Sequence, residues 1–435
     1  MNLSTVSKFF TYPDLRKKVI VMILLVIFIR VLGHIPLPGV DTEALRIFFD
    51  RNQIFGLLNM FSGGTMENFS IILMGVGPYI TSSIVMQLLT MVIPSLEALQ
   101  KEGDYGQRKI NMYTRWLAVP LSIIQGYAMI MLLTKGSAGS YAIMPGGIHG
   151  INLITALVVI CAGTMFLMWL GEIISEIGFG NGVSLIISIG ILASFPEMVR
   201  NTFAIVFTGG MIDWGKVISL ILFVVLFIAV IAFIVFITEA QRNIPVAYAR
   251  QARGMQNFGR VDTYLPLRVN QAGVIPIIFA LALILFPSTI ANLFQNSNIH
   301  LLASLSKWTL ANFSQGSLLY GVVYFLLVFG FTFFYTSIVF NPKNVAENLQ
   351  KRAGFIPGIR PGRETAIYLK NLLNRINLTG GLFLSIIAIL PFIVQNIIKI
   401  NTIYLGGTGI LIIVAVILET MRQVKAQYLM RSYES

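Results

Sequence analysis

Gly75-Val76-Gly77-Pro78-Tyr79-Ile80 lies inside an apolar run that extends from Phe69 to Ile93. The same pattern returns at Gly273-Val274-Ile275-Pro276-Ile277-Ile278, which opens the run ending at Leu293. Both read Gly-Val-x-Pro followed by apolar residues, and they stand 198 positions apart in a chain of 435 residues. Gly and Pro within a segment long enough to cross a membrane mark a broken or kinked helix. They are also common in ordinary membrane helices, so one such hexapeptide alone decides little. Breaks at matching positions in two halves point to a functional site where the halves meet. The pair therefore predicts related halves, residues 1–205 and 206–435.

Composition identifies the solvent. Hydrophobic residues make up 56% of the chain and charged residues 11%, with a mean hydropathy of +0.80. Soluble globular chains are about a quarter charged, so lipid surrounds most of this one. The net charge of +13 fits either nucleic acid or an anionic membrane surface as partner, and the positions of the charges decide. The single cysteine, Cys161, lies in an apolar stretch and reads as a small buried hydrophobe. His34, His149 and His300 are scattered, without metal-ligand spacing.

A span needs about 20 mostly apolar residues. Ten stretches qualify: Val19–Leu37, Phe69–Ile93, Trp116–Leu133, Leu153–Ile174, Val183–Ile205, Val217–Ile237, Val274–Leu293, Leu318–Phe340, Thr379–Ile398 and Ile403–Leu418. Ten spans leave both termini on one side, and basic residues collect on the cytoplasmic side. Of the 31 Lys and Arg, 23 fall on the side of the termini. Seven (Arg46, Arg51, Lys135, Arg200, Lys216, Lys307 and Lys399) fall on the other, and Arg30 lies within the first span. Both termini are expected in the cytoplasm.

Between the first two spans, Gln53–Phe61 is apolar but too short to cross, and Ser62-Gly63-Gly64 follows as a flexible joint. Two readings stand even here: a re-entrant element buried in protein, or a helix lying on the membrane surface. After the fourth span, Gly178–Gly182 reads as helix stop, tight turn and helix start, because no strand precedes it. Gly210–Val217 has phosphate-loop spacing, but Val217 stands where a Ser or Thr would hold magnesium.

Two long loops follow the sixth and eighth spans on the cytoplasmic side. Residues 238–270 carry Arg242, Arg250, Arg253, Arg260 and Arg268. Residues 341–377 carry Arg360 within Phe355-Ile-Pro-Gly-Ile-Arg-Pro-Gly362, among other basic residues. Gly and Pro without low complexity predict ordered projections that dock an acidic or nucleic-acid partner.

Ion-coupled pumps keep ionisable groups near the bilayer midplane. Here Glu172, Glu176, Glu239 and Glu419 sit at cytoplasmic ends of spans, and Arg30 is placed to snorkel. No carboxylate pair, nucleophile–base set or metal constellation is legible, so neither an enzyme nor a cofactor is expected. Around both Gly-Val-x-Pro motifs the residues are Val and Ile. An aliphatic constriction gates by dewetting rather than by chemical selection, which suits a large or varied cargo. A transporter with inverted repeats would need polar ligand groups at its breaks, and this chain has aliphatic ones.

Eight stretches carry a family resemblance: IPLPGVD (Ile35–Asp41), NMFSGG (Asn59–Gly64), GPYITSSIVMQLL (Gly77–Leu89), GTMFLMWLGE (Gly163–Glu172), GNGVSLII (Gly180–Ile187), LPLRVNQAGVIP (Leu265–Pro276), VFNP (Val339–Pro342) and GFIPGIRPG (Gly354–Gly362). Over essentially the whole chain the sequence resembles the SecY family, central subunits of the bacterial protein-conducting channel. The resemblance implies an all-α polytopic membrane protein, with ten transmembrane helices in two inverted five-helix halves around an hourglass pore. It implies passage of unfolded secretory polypeptides across the bacterial plasma membrane, and release of apolar segments into the lipid bilayer through a lateral gate. That gate would lie between spans two and three on one side and seven and eight on the other. The implied pore ring is Val76, Ile80, Ile187, Ile278 and Ile412, with Val76 smaller than the isoleucine more usual there. The implied plug is residues 55–67, including Leu57, Leu58, Asn59, Met60, Phe61, Ser62, Gly63 and Gly64. Implied partners are the small membrane subunits SecE and SecG, the SecA ATPase, the ribosome, signal peptides and preproteins. Arg242, Arg250 and Arg360 are the expected docking residues.

Overall fold

The computed structural model describes residues 13–41, 69–136, 150–177, 180–206, 214–248, 263–294, 299–313, 317–398 and 407–434. In chain order the helices are α1 (Pro13–Leu32), α2 (Gly77–Val92), α3 (Pro94–Lys101), α4 (Asp104–Gly136), α5 (Ile151–Ile177), α6 (Gly182–Val206), α7 (Trp214–Glu239), α8 (Ile275–Phe294), α9 (His300–Asn312), α10 (Leu318–Val339), α11 (Pro342–Lys351), α12 (Arg363–Ile398) and α13 (Gly407–Glu434). Each of the ten apolar stretches overlaps one of these helices, while α3, α9 and α11 lie between them. α5, α12 and the run Leu318–Lys351 are each long and apolar enough to cross a membrane, and α2 turns into α3 through a bend of 101°. The cause of the bend is local. Pro94 pushes Ile93 to extended backbone (φ −99°, ψ 111°) and then starts the next helix.

Three apolar clusters hold the described residues together. The main one draws Ile187, Ile191, Ile277, Tyr324, Leu384 and Leu411, among others, from the helical body. A second joins Leu37 and Phe69 to Ile130 and Ile160. Glycine permits the closest approaches: a Cβ on Gly163 of α5 would stand 2.1 Å from the Ile71 carbonyl oxygen. The chain leading into α2 therefore lies directly on α5.

Beside the helices the described residues hold a little β-structure. A small antiparallel sheet of β1 (Gln241–Tyr248), β2 (Thr263–Arg268) and β3 (Gly354–Phe355) runs in the order β2-β1-β3. Gln241 stands opposite Arg268, Val246 opposite Thr263 and Ala247 opposite Phe355. Its strands are short and interrupted by Pro245 and Pro266, so their alternation is faint beside the long apolar spans. The sheet ties the loop after α7 to the connection between α11 and α12. Ile244, Leu267, Ile356, Leu369 and Ile376 form a third cluster beneath it.

Candidate functional site

Neither Gly-Val-x-Pro motif interrupts a helix; each starts one. Gly75 and Gly273 both take left-handed backbone, with φ of 53° and 63°, which glycine adopts without steric cost. Nothing lies within 4 Å of a Cβ built on Gly273, so the requirement there is conformational alone. The following valine carbonyl accepts the first helical bonds, and the proline takes the second helical position, where its missing N–H leaves no gap. The Ile80 N–H donates to the Val76 carbonyl at 3.0 Å, and the Ile278 N–H donates to the Val274 carbonyl at 3.3 Å. Ile80 and Ile278 thus occupy equivalent places, one turn into α2 and α8.

All five residues implied for the ring fall in or against one apolar cluster. Val76, Ile187 and Ile412 are buried in the main cluster, and the half-buried Ile80 and Ile278 pack against it. They arrive from α2, α6, α8 and α13. Ile187 is placed by the turn between α5 and α6, where the Gly182 N–H donates to Ser175 Oγ at 2.8 Å. Asn181 Oδ1 accepts from the Ser184 N–H at 3.2 Å, and a Cβ on Gly182 would lie 1.9 Å from the Gly171 carbonyl oxygen. Gly180–Gly182 therefore lead tightly into α6, while Gly178 and Phe179 lie outside the described residues. These five side chains offer no proton, charge or ligand atom. Each belongs to the main apolar cluster or packs against it.

Polar links surround that cluster, and sequence reading missed them. Gln125 Nε2 donates to Thr81 Oγ1 at 3.4 Å, joining α4 to α2. Arg115 holds Glu172 in a two-point pair, Nε to Oε1 at 2.8 Å and Nη2 to Oε2 at 2.6 Å, joining α4 to α5. Glu172 was legible as a charge at a span end, but no local pattern names a partner 57 positions away. Both α2 and α4 also touch α8.

Residues 55–67, including Leu57–Gly64, lie outside the described residues. The chain on either side of them is clasped. The Leu37 N–H donates to the Phe69 carbonyl at 2.8 Å, and the Ile71 N–H donates to the Ile35 carbonyl at 3.1 Å.

Arg242 is exposed on β1. Arg360 is exposed on a turn framed by Gly358 (φ 83°) and Gly362 (φ 96°), and its carbonyl accepts from Thr365 Oγ1 at 2.9 Å. Arg250 lies outside the described residues. On β2, burial and secondarily the nearby Arg422 hold the Arg268 guanidinium below the ordinary arginine pKa, while Glu239 and Glu419 oppose the shift. Arg422 pairs with Glu239 at 2.9 Å and donates to the Thr238 carbonyl at 3.1 Å, tying α13 to the end of α7.

Long apolar helices, two touching helices that start at matched glycines, and exposed Arg242 and Arg360 beyond the spans fit a multi-pass membrane protein of the protein-conducting channel class. The comparisons agree. The SecY family model matches residues 70–421. The protein translocase subunit SecY of Streptomyces galbus is 42% identical over 449 residues, covering 99% of this chain and 99% of that protein. A solved structure described as that of a protein conducting channel aligns with a TM-score of 0.64 at 17% identity, covering 93% of this chain and 90% of that one. Sec61 in the canine ribosome-channel complex from the endoplasmic reticulum aligns with a TM-score of 0.60 at 16% identity, with the same coverage. The chain belongs to the SecY family.

Proposed function

We propose that the cluster of Val76, Ile80, Ile187, Ile278 and Ile412 is the seal of a pore between two halves, residues 1–205 and 206–435. As a SecY-family subunit the protein forms part of a protein-conducting channel. It passes unfolded secretory polypeptides and releases apolar segments sideways into lipid. One observation supports the seal: the five aliphatic residues all belong to one apolar cluster or pack against it, and two of them stand one turn into the motif-matched helices. Holding an apolar segment in water costs about 25 cal/mol for each Å² kept from lipid. A lateral exit between α2 and α4 on one side and α8 and α10 on the other removes that cost.

In this reading residues 55–67 plug the idle pore, and the clasp of residues 35–37 with 69–71 holds the base of the plug. The chain sits in the bacterial plasma membrane with both termini in the cytoplasm, as its basic residues favour. SecE and SecG complete the channel, while SecA and the ribosome dock on the loops of Arg242, Arg250 and Arg360. The ribosome-bound Sec61 relative lends support to that last contact.

The test reconstitutes the chain with its small partners and the motor, and measures protease protection of a secretory precursor. Cysteine pairs are then placed between Thr81–Gln87 and Ile277–Phe286, with Cys161→Ser in the background. A disulfide there should stop secretion and membrane insertion, and a reductant should restore both. Normal translocation with the two helices covalently joined would refute the lateral gate.

A further inference from the structure

A cleft of about 980 Å³ opens where α10 ends, between α11 and the first turns of α12. Half-buried Phe333 and Phe340 line its wall, so it lies where an apolar span gives way to polar chain. Lys343, Arg363 and Lys370 stand around it against one acid, Glu347, and all four are exposed. Among the described residues none of the three cations has an ion-pair partner. Two helices begin beside the cleft, α11 at Pro342 and α12 at Arg363, and helix N-termini favour anions. Asn341 caps the first, accepting from the backbone of Lys343 and Asn344 at 3.1 and 3.4 Å.

A second observation points to a ligand. Asn377 also lines the cleft and is only 6% exposed. Among the described residues no protein group hydrogen-bonds its carboxamide, whose polar atoms open onto the cleft.

We infer that this cleft holds one anionic phospholipid. Its phosphate meets Lys343, Arg363 and Lys370. The Asn377 carboxamide, nearer the span, meets glycerol or ester oxygens. The acyl chains run along Phe333 and Phe340 into the bilayer. A free phosphate would satisfy the cations and leave the aromatic wall bare, so the lipid is the better occupant. The inference rests on the membrane placement of α10 and α12 and not on translocation, so a failed binding assay leaves the channel reading intact.

The experiment uses the full chain in phosphatidylcholine nanodiscs doped with a photoactivatable phosphatidylglycerol, followed by peptide mapping of the label. Label is expected on peptides of α10, α11 and α12, at least fivefold above that from photoactivatable phosphatidylcholine. Lys343→Gln/Arg363→Gln/Lys370→Gln should cut that label at least fivefold while label elsewhere on the chain stays constant. All three positions are exposed, so the fold should survive, and Lys370→Gln alone should give a smaller loss in the same direction. Unchanged label in the triple variant, or equal label from the two lipids, would overturn the site. Equal competition by millimolar glycerol 3-phosphate would make it a soluble-phosphate site and overturn the lipid. Loss of the label once SecE and SecG are added would assign the cleft to a protein and also overturn it.

Discussion

Ile412→Ser tests the seal most sharply, because burial sets how much the closed channel loses. Ile412 is 1% exposed and Ile187 7%, whereas Ile80 and Ile278 are only half-buried. Fully burying an isoleucine is worth about 1.5–3 kcal/mol, and in this reading the gain holds only while the helices stay together. Serine at 412 or 187 should therefore shift the closed–open balance by about that much, a rise of roughly 10- to 150-fold in idle open probability. At positions 80 and 278 about half the gain is at stake, giving roughly 3- to 13-fold. Ile412→Val removes one methylene, typically about 0.5–1.5 kcal/mol, and should leak least. Planar-bilayer conductance of the reconstituted channel reads the leak, and thermal melting in detergent separates a loosened seal from a damaged fold. Baseline conductance in every serine variant would refute the reasoning. So would a ranking in which Ile80→Ser leaks more than Ile412→Ser at equal stability.

Deleting Leu57–Glu67 should raise idle conductance and relax the demand for a strong signal sequence while transport continues; no change in either would make the segment a surface helix. Gly163→Ala places a Cβ 2.1 Å from the Ile71 carbonyl oxygen, and overpacking of this kind costs about 1–3 kcal/mol. Gly273→Ala meets open space and bears only the left-handed backbone, about 1–2 kcal/mol. Melting temperatures should fall for both, and a Gly163→Ala protein as stable as wild type would refute the close approach. If Arg360 docks the motor as proposed, Arg360→Glu removes a charge-assisted contact worth about 1.5–3 kcal/mol, so motor-driven translocation should weaken at least tenfold with normal membrane insertion. Wild-type motor binding in that variant would reduce the loop to a topology signal.

Membrane residence, the overlap of ten apolar stretches with helices and the aliphatic character of the site were legible in the sequence. Each depends on local quantities: run length against bilayer thickness, and residue type at a motif. The repeat also marked α2 and α8 correctly, because Gly and Pro carry their backbone preferences wherever they stand. Its meaning was less legible. A mid-helix break and a helix start use the same residues, and only the left-handed backbone at Gly75 and Gly273 distinguishes them. Tertiary structure alone joined Arg115 to Glu172 and paired β1 with β3 across two loops. It also put Ile412 and Val76, residues separated by most of the chain, into the same apolar cluster. Such meetings have no local period or motif, since they are decided by which close-packed arrangement buries the most apolar surface without orphaning a polar group.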